Sequence, residues 1–200
     1  MNSESPEYAM VVLKPDAIER GLEDEVYDKL ESAGFSVEHT SQKELSREDV
    51  GRQYAHVAQK DDLDNNVVWG IHEYLDGREV EAAVLNCENL EDNPTEVLET
   101  AVGSSPYPEK EDPDSIRGAA VNNPESPFYD KDWIRLYDSR SADRTGGEGV
   151  RNLVHFPERG EDVDEPRFDD EFERDLDIYF GENTDTENSE NINSEIKKIV

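Results

Sequence analysis

The sequence is poor in positive charge. Twenty Lys and Arg stand against 51 Asp and Glu over 200 residues, a net charge of −31. Bare DNA, RNA and anionic membranes repel such a chain electrostatically, so they are excluded as nonspecific partners. Long apolar runs are also missing: no stretch approaches the about 18 apolar residues that mark a membrane-spanning helix. The first seven residues are polar and acidic, so no secretory leader is expected. Cysteine occurs once, at Cys87, which rules out an internal disulfide and reads as a small buried side chain in an apolar strand pattern.

With only 34% hydrophobic residues, composition alone suits either a disordered chain or a folded one with an acid-loaded surface, as in halophiles. Periodicity separates the two. Apolar residues recur at helical or strand spacing through most of residues 8–102, a pattern a disordered chain has no reason to keep. The reading is a folded cytoplasmic protein adapted to high salt. Molar salt shortens the Debye length from about 10 Å at 0.1 M to about 3 Å, which relieves carboxylate repulsion.

Residues 8–13 form a short apolar run, read as a buried strand that ends at Lys14. Leu22, Val26 and Leu30 follow at helical spacing, with Gly34 as the stop. Residues 35–44 alternate weakly, as a second strand. Ser46 and Asp49 have capping-box spacing, with Asp in place of Glu, ahead of a helix carrying Val50, Tyr54 and Val57. Residues 63–75 make another amphipathic helix and residues 80–85 a third strand. Asn93-Pro94 opens a helix that carries Val97, Leu98, Ala101 and Val102.

Residues 104–150 are rich in Pro, Gly, Asp, Ser and Arg and show no sustained period. Residues 152–155 read as a short strand or its end, and Phe168, Phe172, Leu176 and Tyr179 mark a last helix. Residues 181–200 are a polar, acidic tail whose composition cannot bury a core, and disorder is expected there. The order of elements fits an α+β sandwich with helices on one face of a mainly antiparallel sheet.

The chemistry-bearing residues lie far apart in this order. Lys14 projects from a strand end fixed by Pro15 and suits phosphate as a point charge. Arg117 offers a guanidinium fork for phosphate oxygens, and His155 offers an imidazole nitrogen that is unprotonated in useful amount near neutral pH. Tyr54 falls at a core-facing helix position and on its own reads as packing. His39, His56 and His72 sit in helix or strand patterns with no motif around them and read as structural or surface residues.

Together, Val12-Leu13-Lys14-Pro15-Asp16-Ala17 with Arg20-Gly21-Leu22, Ser115-Ile116-Arg117-Gly118, and Arg151-Asn152-Leu153-Val154-His155 resemble the signature motifs of nucleoside diphosphate kinases. The resemblance spans residues 8–118 and 151–180. It implies a ferredoxin-like α+β fold and ping-pong phosphoryl transfer between nucleoside tri- and diphosphates through a phosphohistidine at His155. It also implies phosphate contacts from Lys14, Ser105 and Arg117, with Tyr54 and Asn152 beside the histidine. Asp175 takes the place of the glutamate that orients the imidazole. Mg²⁺ is expected to arrive with the nucleotide rather than on protein ligands, and homo-oligomer assembly is expected from the family's habit.

The family reading makes residues 1–180 one kinase-like domain with an insert at about 121–147, where Trp133, Ile134, Leu136 and Tyr137 suffice for a small element. The chain departs from the pattern at three places. Glu99 stands where the family has a second phosphate-binding arginine; Phe156-Pro157 follows the histidine in place of Gly-Ser; and Val67 replaces the phenylalanine that stacks on the base. Arg140, Arg144 and Arg151 are candidates to restore the missing charge. The departures define a second reading, a catalytically degenerate nucleotide-binding or protein-interaction module on the same fold. Other phosphohistidine chemistry, such as protein phosphotransfer, is a third.

Overall fold

Two segments are buried at almost every position, Tyr8–Leu13 (β1) and Glu79–Asn86 (β3), and they pair antiparallel from Tyr8 opposite Asn86 to Leu13 opposite Glu81. The computed structural model describes residues 8–55, 65–104, 108–132, 151–157 and 168–181. Ser36–Glu44 (β2) pairs with the far edge of β3, and Val154–His155 (β4) with the other side of β1, giving the order β2-β3-β1-β4 with every pair antiparallel. This is the ferredoxin-like arrangement expected from the sequence: β3 lies between the two strands of a split βαβ unit.

The continuous apolar runs have a second consequence. Ala9, Val11, Leu13, Ala83 and Leu85 face one core, whereas Met10, Val12, Val80, Ala82 and Val84 face another. Successive strand residues point to opposite faces, so both faces are covered. The expectation of helices on one face is therefore corrected. The first core is closed by Glu23–Ser32 (α2), Pro94–Val102 (α5) and Ile116–Asn122 (α6). The second is closed by Arg47–Gln53 (α3), Asn65–Leu75 (α4) and Phe168–Phe180 (α7), through Val50, Ile71, Tyr74, Leu75, Leu176 and Tyr179.

Local signals act as the sequence suggests at several ends. Ser46 accepts from the Asp49 backbone N–H while the Asp49 carboxylate accepts from Ser46 N, a complete capping box. Asn93 caps α5 through Thr95 N, with Pro94 at the first helical position. Two helices are additions to the sequence reading. Pro15–Ile18 (α1) is a single turn started by Pro15. α6 rests on the Ser115 side chain, which accepts from Gly118 N at 3.0 Å. A Cβ at Gly118 would lie 1.9 Å from the Asp112 carbonyl oxygen, so only glycine permits this approach.

The last helix is fastened at its C-terminal end, where carbonyls lack helical donors. Lys43 Nζ donates to the Ile178 carbonyl at 2.7 Å and Ser41 Oγ to the Tyr179 carbonyl at 2.9 Å. The buried Tyr179 hydroxyl donates to Gln53 Oε1 at 2.9 Å. Phe172, Leu176, Ile178, Tyr179 and Phe180 are all buried, each contributing about 1.5–3 kcal/mol. Ser105, His56, the expected insert from residue 133 onward and the tail after Gly181 lie outside the described residues. Among the described residues, no helix is long and apolar enough to cross a membrane.

Candidate active site

The sheet brings the start of the chain to its distant motif. β1 delivers Lys14 as the residue before α1, and β4 lies alongside with Val12 opposite His155 and Leu13 opposite Val154. Lys14 N donates to the Leu153 carbonyl at 2.8 Å, and Lys14 Nζ to Asn152 Oδ1 at 2.8 Å, across 138 positions of sequence. Both side chains are buried. Burial, then the Arg117 charge, lower the Lys14 pKa to about 7, while Asp16 opposes the shift.

His155 follows a strained turn. Val154 N donates back to the Asn152 carbonyl at 2.7 Å, a bond spanning two residues, and Leu153 between them has φ +65°. A positive φ at a bulky non-glycine residue costs of order 1–3 kcal/mol and is held by its surroundings. The holding groups are Asp16 Oδ2, which accepts from Leu153 N at 3.0 Å, and the Tyr74 hydroxyl, which donates to Asp16 Oδ1 at 2.6 Å.

The imidazole lies between a carboxylate and an aromatic ring. Its Nε2 lies 3.4 Å from Asp175 Oδ2, and Asp175, fully buried on α7, is fixed by Arg174 at 3.0 Å on its other oxygen. The Tyr54 ring lies 5.6 Å from the imidazole, centroid to centroid. Burial pushes the His155 pKa below its ordinary value; Asp175 pulls it up, and Lys14 and Arg117 push it down. Burial and then the Asp175 carboxylate hold the Tyr54 phenol above its usual range, so it stays protonated.

Arg117 sits on α6, almost wholly buried. Its fork serves the backbone: Nη1 donates to the Gly103 carbonyl at 2.7 Å and the Ser104 carbonyl at 3.3 Å, and Nη2 to the Val154 carbonyl at 2.8 Å. The guanidinium thus ties the end of α5 to the histidine strand. Gly103, at φ +100°, makes room for this junction, since a Cβ there would meet Glu111 at 2.9 Å.

A histidine held through one nitrogen beside a lysine, an asparagine and a buried arginine is suited to accepting a phosphoryl group. The family profile described as nucleoside diphosphate kinase matches residues 7–126, more than half of the chain. The chain belongs to the nucleoside diphosphate kinase family. The match covers the Lys14 and Arg117 motifs and stops ahead of the His155 segment. No curated protein matches the chain.

The fold is similar to the Borrelia burgdorferi nucleoside-diphosphate kinase solved as a transition state mimic with vanadate and ADP (16% identity, 88% of each chain, TM-score 0.62). It is also similar to an NDP kinase from Pyrobaculum aerophilum (22% identity, 89% of this chain and 97% of that one, TM-score 0.57). The nucleoside diphosphate kinase of Encephalitozoon cuniculi, in its apo form, gives 16% identity over 90% and 92%, with TM-score 0.56.

Against this family the departures take definite positions. Phe156 is buried in the first core, and its ring lies 5.4 Å below the Arg117 guanidinium carbon, a cation–π contact. Glu99 is exposed on α5. Arg151 lies over the Tyr74 ring at 5.8 Å. Sequence reasoning gave no role to Asp16, Tyr74 or Arg174. Asp16 lies inside the Lys14 motif, which is the one available signal; Tyr74 has the pattern of any core position of an amphipathic helix.

Proposed function

We propose that the protein is an active nucleoside diphosphate kinase whose phosphoryl carrier is His155. The observation that carries this reading is the His155–Asp175 contact. A carboxylate at Nε2 favours the tautomer with the proton on that nitrogen, leaving the lone pair on Nδ1. Nδ1 attacks the γ-phosphorus of a nucleoside triphosphate; the N–P bond forms, the P–O bond to the β-phosphate breaks, and the diphosphate leaves with the electron pair. A second nucleoside diphosphate reverses these steps with its terminal phosphate oxygen as nucleophile.

The depressed His155 pKa supports this chemistry by keeping the imidazole neutral at neutral pH. Lys14 stabilises charge on the transferring group, Asn152 orients the Lys14 ammonium, and Arg117 acts as a fixed buried cation. Tyr54 walls the imidazole, and Ser105 belongs to the phosphate contacts in this reading. Mg²⁺ bound to the nucleotide phosphates would neutralise part of their charge. In this reading the ligands of the ion are phosphate oxygens and water. Residues 1–180 act as one catalytic domain, resident in the cytoplasm and self-associating.

The degenerate-module alternative draws on Glu99, Val67 and Phe156-Pro157. Burial of Phe156 beneath Arg117 removes one of those supports, because the ring strengthens a site residue instead of filling the site.

Initial rates with GTP and dTDP in molar KCl test the proposal. A carrier that alternates between free and phosphorylated forms gives parallel double-reciprocal lines; intersecting lines would contradict it. Asp175→Asn is expected to slow phosphorylation of His155 by about 10–100-fold, as loss of an orienting carboxylate does elsewhere, read by rapid quench. An unchanged rate would remove Asp175 from the mechanism.

A further inference from the structure

We infer that Asp16 and Tyr74 are positioning residues that hold the Asn152–His155 turn in its reactive shape; the inference rests on the kinase reading given above. Asp16 occupies the first turn of α1, two residues after Lys14, and its carboxylate spends one oxygen on each side of the site. Oδ2 accepts from Leu153 N at 3.0 Å, and Oδ1 accepts from the Tyr74 hydroxyl at 2.6 Å. The same hydroxyl accepts from Asp16 N at 3.0 Å, so side chain and backbone of Asp16 close a two-point ring with Tyr74.

The geometry makes this ring a clamp. Leu153 is the described non-glycine residue with positive φ, and its N–H is the donor that Asp16 holds. Its carbonyl is held from the other side by Lys14 N at 2.8 Å. Both polar groups of the strained peptide are therefore tied to residues 14–16. The residues flanking Leu153 are Asn152, which binds Lys14 Nζ, and Val154, whose carbonyl binds Arg117 and which precedes His155. A shift of the turn moves the lysine's partner, the arginine's partner and the imidazole together. Tyr74 is 4% exposed in the second core, so the clamp is anchored in the side of the sheet opposite α6. Arg151 stacked on its ring covers it.

Asparagine at position 16 keeps the shape but has one accepting oxygen for two donors, so one donor must face its NH₂ group. Displacing reacting atoms by about 1 Å costs about 100-fold in rate, so Asp16→Asn is expected to lower the phosphorylation rate constant per labelled site by roughly 10–100-fold, with KM for nucleotide within about threefold. Tyr74→Phe removes one tether of the carboxylate and is expected to give a smaller loss in the same direction. A merely structural role would lower the fraction of sites labelled without changing the rate constant of those that react.

The test uses the full chain in molar KCl, with circular dichroism to verify folding, and measures rapid-quench phosphorylation together with hydrogen exchange of the Leu153 amide. Slower phosphorylation with faster Leu153 exchange in either variant supports the clamp. A wild-type exchange rate at Leu153, or a wild-type rate constant per site, overturns it. Should Asp16→Asn fail to fold, Tyr74→Phe carries the same comparison. If the wild type takes no phosphate, the kinase reading fails on its own, and the exchange rates together with the ¹⁵N shifts of the His155 ring still decide whether the clamp sets the histidine's environment.

Discussion

Arg117→Ala is expected to lower kcat/KM by about 1,000-fold and the melting temperature by roughly 6–12 °C. Two separate jobs explain the double loss. As a buried cation, Arg117 adds to burial in lowering the pKa values of both Lys14 and His155. Fixed positive charge where phosphoryl charge develops contributes about 100–100,000-fold in phosphoryl and acyl transfer. As a staple, it donates to the carbonyls of Gly103, Ser104 and Val154 from a position only 7% exposed.

Hydrogen bonds from charged donors contribute about 1.5–3 kcal/mol, and the stranded carbonyls add a desolvation cost, so a total near 3 kcal/mol is a fair expectation. At about 2–4 °C per kcal/mol for a chain of this size, the melting range follows. Arg117→Lys separates the jobs: it is expected to recover part of the rate while remaining thermally weakened, because an ammonium cannot span the three carbonyls. Steady-state kinetics and calorimetry in molar KCl check both numbers. An Arg117→Ala protein that melts like the wild type would show that the staple does not hold the junction.

Lys14→Met is expected to reduce kcat/KM by about 100–1,000-fold and to abolish proton uptake on nucleotide binding. The sign follows from burial. In the free protein, Lys14 has a pKa of about 7, so at pH 8 most molecules carry a neutral amine. A bound polyphosphate favours the ammonium and raises that pKa. Binding at pH 8 therefore takes up close to one proton, and affinity weakens by up to about tenfold per pH unit above 7 until the pKa of the complex is reached. Titration calorimetry in two buffers of different ionisation enthalpy counts the proton directly. Lys14→Met keeps the burial but cannot protonate, so its binding enthalpy should be the same in both buffers. Absence of uptake in the wild type would mean that Lys14 is already charged before nucleotide arrives.

Much of this arrangement was legible in the sequence, for identifiable reasons. β1, α2, β3 and α5 have their own apolar period and their own punctuation, such as Asn93-Pro94, and form where the pattern places them. Lys14, Asn152 and His155 were readable because each stands in a dense motif, and the sheet does bring them together. The helix α6 was not readable: seven residues are too few to show a period, and its start depends on Ser115 and on a close backbone approach that only Gly118 allows.

Helices on both faces are legible in β1 itself, which alternates between two cores instead of between core and water. Phe156 was misleading in isolation. A phenylalanine beside a nucleophile looks obstructive until its ring is seen under Arg117. The Asp16–Tyr74–Leu153 contacts join residues 58 and 137 positions apart, and no local rule connects them.

The central claim is that His155 carries the phosphoryl group. Its most direct test is incubation of the full chain with γ-³²P-labelled ATP and Mg²⁺ in molar KCl, beside His155→Ala. Alkali-stable, acid-labile label is expected on the wild type alone, discharged by GDP. Label that persists in folded His155→Ala, or a folded wild type that takes no label, would contradict it.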